Sequence, residues 1–163
     1  MAGNIKAVPE GFRTLTAALT VRNGNKALEF YKQAFGAEVR GVHLTPDGKV
    51  AHAEIKIGDS VFMLSDEFPP IAVSPETIGG TASGLIIYAE NIDQLWDRAI
   101  KAGGKVTMPL ANQFWGDRWG TLTDPFGHRW SLAQHVEDVA PDEMERRSKK
   151  MFAEMAQKHA QAN

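Results

Sequence analysis

From Thr14 to Val21 the chain reads TLTAALTV, with Leu15, Ala17, Leu19 and Val21 alternating with Thr14, Thr16, Ala18 and Thr20. A period of two predicts a strand with one apolar face, and that face needs a cover. Asn23-Gly-Asn25 supplies helix-capping residues, after which Ala27, Leu28, Tyr31, Ala34 and Phe35 recur at helical spacing until Gly36 ends the run. Val39 to Leu44, Val50 to Ile57 and Val61 to Leu64 are short runs separated by Pro46-Asp-Gly48 and Gly58-Asp59, and predict three further strands. Residues 68–80, with Pro69, Pro70, Pro75, Gly79 and Gly80, predict a linker without regular structure. The pattern then starts again. Leu85 to Tyr88 is a strand, Asn91 opens a helix with Ile92, Leu95, Trp96, Ala99 and Ile100 on one face, and Gly103 closes it. Val106 to Met108, Gly120 to Thr123 and His128 to Ala133 complete the second set, with Asp124-Pro-Phe-Gly127 as a turn.

The order strand, helix, three strands thus occurs twice. It predicts an α+β protein of two βαβββ modules, residues 12–67 and 81–135, whose curved mixed sheet surrounds a cleft walled by the strand faces that no helix covers. A third helix is predicted at 140–160. Pro141-Asp-Glu143 suits its start, and Met144, Met151, Phe152 and Met155 form a stripe while Arg146, Arg147, Lys149 and Lys150 solvate the rest. That stripe is read as packing on its own domain or on the mate in a homodimer.

Composition narrows the chemistry. The 163 residues are 43% hydrophobic and 23% charged, a balance that builds a core and excludes wholesale disorder. A formal charge of -2 gives no field to recruit nucleic acid or an anionic membrane. With no cysteine, thiol nucleophiles, zinc fingers and iron–sulfur clusters drop out. The opening MAGNIKAVPEGF holds no apolar stretch of signal-peptide length, and a soluble, cytoplasmic protein is expected.

The doubled unit, with GNKALEFYKQAFGAEV in the first half and DPFGHRWSL closing the second, resembles the vicinal oxygen chelate superfamily. That group includes glyoxalase I, extradiol dioxygenases, fosfomycin-resistance enzymes and bleomycin-binding proteins. DGKVAHAEIKIGDSVFMLSDE and FWGDRWGTLTDPFGHRWSLAQHVEDV are similar to its PhnB-like branch, and the resemblance covers about residues 12 to 139. It implies two modules, from one chain or swapped between chains, that curve into a cleft. Metal-dependent members hold a divalent ion there with His, Gln or Glu. Laid on this chain, the four ligand positions fall at Thr16, Met63, Gly84 and Ser131, none of which is a usual ligand. No metal and no cofactor are therefore expected, and the main support for glyoxalase or dioxygenase chemistry is missing.

Other residues could still carry chemistry. His52, Glu54 and Lys56 share one face of a strand, and an imidazole beside a carboxylate can serve as an oriented base, hold an unconventional metal, or form a polar ladder that only satisfies its neighbours. In Phe114-Trp-Gly-Asp-Arg-Trp119, Trp115 and Trp119 could close over a flat apolar molecule while Asp117 and Arg118 orient its polar groups. A core role for one Trp and a local Asp117–Arg118 pair are the plainer alternative. Trp96 and Trp130 sit on periodic apolar faces and are read as core. His43, His128, His135 and His159 are read as structural or exposed. No glycine-rich phosphate loop opens a helix, and no serine has an evident base.

The first expectation is a binder of a small apolar or aromatic ligand, lined by Thr16, Met63, Gly84, Trp115, Asp117, Arg118, Trp119 and Ser131. Drug sequestration of the bleomycin-binding kind is one form of it. A lyase or isomerase using His52 and Glu54 as catalytic residues, and a protein-interaction module, are the alternatives.

Overall fold

The computed structural model describes residues 5–161; the first four residues, the last two and the side chains of His159 and Gln161 lie outside the described part. The first module runs β1 (Ala18–Val21), α1 (Gly24–Phe35), β2 (Glu38–Leu44), β3 (Val50–Ile57) and β4 (Ser60–Asp66). A short helix follows, α2 (Pro75–Ile78), and then β5 (Gly84–Tyr88), α3 (Ile92–Lys101), β6 (Lys105–Asn112), β7 (Asp117–Thr123), β8 (Arg129–His135) and α4 (Pro141–Gln161). The strands form two four-stranded mixed sheets of matching order, β1-β4-β3-β2 and β5-β8-β7-β6, with β1 parallel to β4 and β5 parallel to β8. This is the repeated α+β organisation expected from the sequence.

Several boundaries differ for physical reasons. β1 starts four residues later than the alternation predicts, and Leu15 is 91% exposed, because the register with β4 begins at Ala18 opposite Met63, the first bond running from Met63 N to Ala17 O. The linker contains α2, since Ser74 caps it by accepting from Thr77 N and Pro75 presets its first turn. β7 takes in Asp117 and Arg118, as pairing with β8 continues outward from the turn to Asp117 opposite His135.

The capping predicted for α1 is present: the Asn23 side chain accepts from Lys26 N, and Gly36 ends the helix at a φ of 68°. Its apolar stripe, with that of α3, fills the space between the helix-side faces of the two sheets, and α1 packs on α3. One core results. It includes Tyr31 and Phe35 from α1, Ile55 and Leu64 from the first sheet, and Leu122, Trp130 and Leu132 from the second. Trp96 and Trp130 are both buried, as expected. Two buried aspartates pin the corners of the helix side. Asp66 accepts from Gly24 N and Val50 N, tying the start of α1 to β4 and β3. Asp124 accepts from Tyr31, Trp130 and two amides of its own turn, tying α1 to the second sheet. No helix among the described residues is long and apolar enough to cross a membrane.

Candidate functional site

The strand faces turned away from the helices are read from the register. In the first sheet Ala18, Met63, Glu54 and Gly41 form one cross-strand row; in the second the corresponding row is Ile86, Ser131, Thr121 and Met108. Thr16 lies two residues before Ala18 and Gly84 two before Ile86, so Thr16 and Met63 in one half match Gly84 and Ser131 in the other. These four positions offer two hydroxyls, a thioether and no side chain at all, which is a poor set for a hard or borderline cation. Thr16 spends its hydroxyl on Arg13 O at 3.0 Å. Among the described residues no group of three or more His, Cys, Asp or Glu could hold a metal ion.

His52 and Glu54 lie on the open face of the first sheet, half-exposed, with Nε2 and Oε1 4.0 Å apart. His43 stands opposite His52, their ring centres 6.3 Å apart.

The aromatic segment is more closely organised. Asp117 is only 6% exposed and its carboxylate accepts three bonds: from Tyr88 Oη at 2.9 Å, Trp115 Nε1 at 3.1 Å and His135 Nδ1 at 2.8 Å. Burial by itself raises its carboxyl, but these three donors outweigh burial and hold it below the ordinary value. His135 also reaches Asp138 through Nε2 at 2.9 Å, and the bonds to Asp138 and then Asp117 raise its imidazole above the ordinary 6.5. Trp115 and Trp119 meet edge to face, ring centres 5.8 Å apart. Arg118 points to the other side of β7, where it forks onto Asp93 in the first turn of α3. Asp117 and Arg118 therefore do not pair; each serves a different face.

The cluster sets a pH window. A raised imidazole adds stability below about 6.5 that is lost as pH rises through its folded value, and a depressed carboxyl adds stability above its ordinary 3.8 that is lost on acidification through its folded value. Both contributions are full only between those limits. NMR titration of His135 is expected to give a midpoint above 6.5, falling in Asp138→Asn and, by less, in Asp117→Asn; an unchanged midpoint in both variants contradicts the clasp.

Two hollows flank this region. One, of about 560 Å³, lies between the modules and is walled by Leu15, Ala17, Phe62, Leu85, Ile87 and Trp130, with Arg13 and Asp59 among its polar residues. Ile86 and Tyr88, 58% and 62% exposed, also border it, so it takes in side chains from both faces of the edge strand β5. The other, of about 330 Å³, is lined by Tyr88, Ala89, Glu90, Gln134 and His135. Tyr88 borders both. None of the eight residues expected to contact ligand lines either hollow; Met63, Gly84, Trp119 and Ser131 share the open strand faces, Asp117 is buried beneath Tyr88 and Trp115, and Thr16 precedes β1. Sequence reasoning missed His135 and Tyr88. The signal was present in the hairpin: counting six residues outward on each arm from Thr123 and Arg129 places Asp117 opposite His135.

Residues 13–132 match the family model of the glyoxalase/bleomycin resistance protein/dioxygenase superfamily. The chain belongs to that superfamily. An uncharacterized protein of Mycobacterium bovis is 38% identical over 135 residues, covering 80% of this chain and 89% of the relative. Among solved structures, TioX from Micromonospora sp. ML1 shares the fold with a TM-score of 0.61 at 23% identity, covering 76% of this chain and 99% of its own. A PhnB protein from Bacillus cereus, described as a putative 3-demethylubiquinone-9 3-methyltransferase, gives 0.59 at 22% identity, covering 75% and 99%. Both neighbours show the fold that the sequence resemblance implies.

Proposed function

We propose that this superfamily member binds a small apolar or aromatic molecule without the family's usual metal, as a cytoplasmic homodimer. The observation that carries the reading is the 560 Å³ hollow, whose walls are aliphatic and aromatic and whose charged groups, Arg13 and Asp59, are few. Such a lining suits a ligand that gains by leaving water and is oriented by few polar contacts. The non-ligating character of Thr16, Met63, Gly84 and Ser131 supports the same reading. A second copy of the chain would cover the open sheet faces, where Ile86, Tyr88 and Met108 are exposed, and bring His52, Glu54, Trp115 and Trp119 to the rim of an enlarged cleft.

The test is fluorescence titration with N-phenyl-1-naphthylamine, a neutral aromatic that brightens in apolar surroundings. Saturable brightening is expected, with affinity at least tenfold weaker in Ile86→Glu, because a charge then stands in the wall. Brightening that never saturates, or that Ile86→Glu leaves unchanged, sinks the hollow as the site. Loss in Trp115→Ala alone would move the ligand to the open face of the second sheet.

A further inference from the structure

We propose that His135, oriented by Asp117, is a catalytic general base that takes a proton from a small neutral or cationic carbon or nitrogen acid lodged in the 330 Å³ hollow beside Tyr88. This hollow is a different one from the apolar hollow of the preceding section, the two sharing Tyr88 as a wall, and it contains none of the family's metal positions.

The geometry is that of an aimed imidazole. Nδ1 is bonded to a buried carboxylate, which fixes the ring's orientation and its tautomer, and His135 is among the residues that line the hollow. Asp117 is in turn held by Tyr88 and Trp115, so the orienting group is itself immobilised. Nε2 faces Asp138, whose side chain is fully exposed. With carboxylates on both nitrogens, the arrangement suits the imidazolium, in which both are donors. Once the ring is neutral, Nδ1–H still donates to Asp117, but the Nε2 lone pair repels the Asp138 carboxylate. Asp138 is free to swing into water, leaving Nε2 open to a substrate. The conjugate acid formed on proton transfer is then stabilised by Asp117 alone.

The surroundings choose the substrate. Glu90 borders the same hollow, Asp138 sits on His135 Nε2, and among the described residues no Lys or Arg lines the hollow, which disfavours anions. Other charged groups close in sequence or register are paired: Arg147 with Glu137 and Glu143, and Arg118, register partner of Gln134, with Asp93. Tyr88 presents an aromatic surface, while its hydroxyl is committed to Asp117.

A nitrobenzisoxazole tests the base directly. Its ring C–H proton passes to Nε2, the C–H electron pair closes a nitrile, the ring N–O bond breaks, and the oxygen leaves as a coloured phenolate. The intact protein is expected to exceed 4-methylimidazole at equal concentration by about 100-fold. Its pH–rate profile should rise with a midpoint equal to that of His135 by NMR. His135→Gln should fall about 100-fold or more, to the background left by the other histidines and solvent, with its thermal unfolding retained, while Asp138→Asn, freed of the competitor, keeps or raises the rate. A rate no better than methylimidazole, a rate that survives His135→Gln, or midpoints that disagree each overturns the proposal. The naphthylamine titration reads the other hollow, so either reading can fail alone.

Discussion

Replacing Asp124 with Ala is expected to lower the unfolding free energy by about 4 kcal/mol and the midpoint of thermal unfolding by roughly 10 °C. The residue is 3% exposed and accepts four hydrogen bonds. Oδ2 takes the Tyr31 hydroxyl and the Trp130 indole, each at 2.8 Å, and Oδ1 takes the amides of Phe126 and His128, each at 2.9 Å. Truncation strands four donors in a packed interior, and unpaired buried donors cost far more than the net gain of making the bond. Tyr31 is so deeply enclosed that burial, and then the Asp124 charge, push its phenol well above the ordinary range. Asp124→Asn keeps one acceptor oxygen but turns an NH2 toward a pair of donors, so about 2 kcal/mol is expected there, and about 1 kcal/mol for Tyr31→Phe, which removes one donor and strands nothing. Urea unfolding of the three variants orders them. Equal losses for Ala and Phe substitutions would show that the carboxylate's other partners contribute nothing.

The consequence reaches beyond one turn. Tyr31 belongs to α1 and Trp130 to β8, so a single carboxylate ties the first module's helix to the second module's sheet. Repeats that could otherwise slide on an apolar interface are held in one register, and with them the walls of the hollow between the modules.

How far the sequence reveals this molecule depends on which interactions are local. Periods of two and of 3.6 located the strands and helices, because each face is set by neighbours a few residues away. Trp96 and Trp130 were legible as core for the same reason. The start of β1 was not, since Leu15 continues the alternation but has no partner strand there. The site suffered more. Asp117 and Arg118 are adjacent and of opposite charge, which suggests a pair, yet strand geometry sends them to opposite faces. His135 looked solitary because its carboxylates arrive from β7 across the hairpin and from a loop three residues on. Chemistry assembled across a register is visible only once the register is known.

Gly116→Ala should be nearly as damaging as the loss of the Asp124 carboxylate, at about 3 kcal/mol or more, through sterics alone. Gly116 has a φ of 97°, and a Cβ there would stand 2.1 Å from the Glu137 carbonyl oxygen, a backbone atom that no rotamer change can remove. The Gly116 carbonyl also accepts the amides of Val136 and Glu137, so the turn lies flat on the segment leading to α4. Gly79 is the control: its φ of 81° is equally left-handed, but nothing lies within 4 Å of a Cβ, so Gly79→Ala bears only the conformational term, about 1 kcal/mol. The difference between the two variants isolates the close approach. It also has a functional reading. Trp115 and Asp117 flank Gly116, and lifting the turn by even a few tenths of an ångström lengthens their bond and the one to His135. Gly116→Ala is therefore expected to bring the His135 titration back toward 6.5, while Gly79→Ala, with its lesion in the linker, leaves it where it was. A His135 midpoint unchanged in Gly116→Ala would mean that the turn and the imidazole are independent.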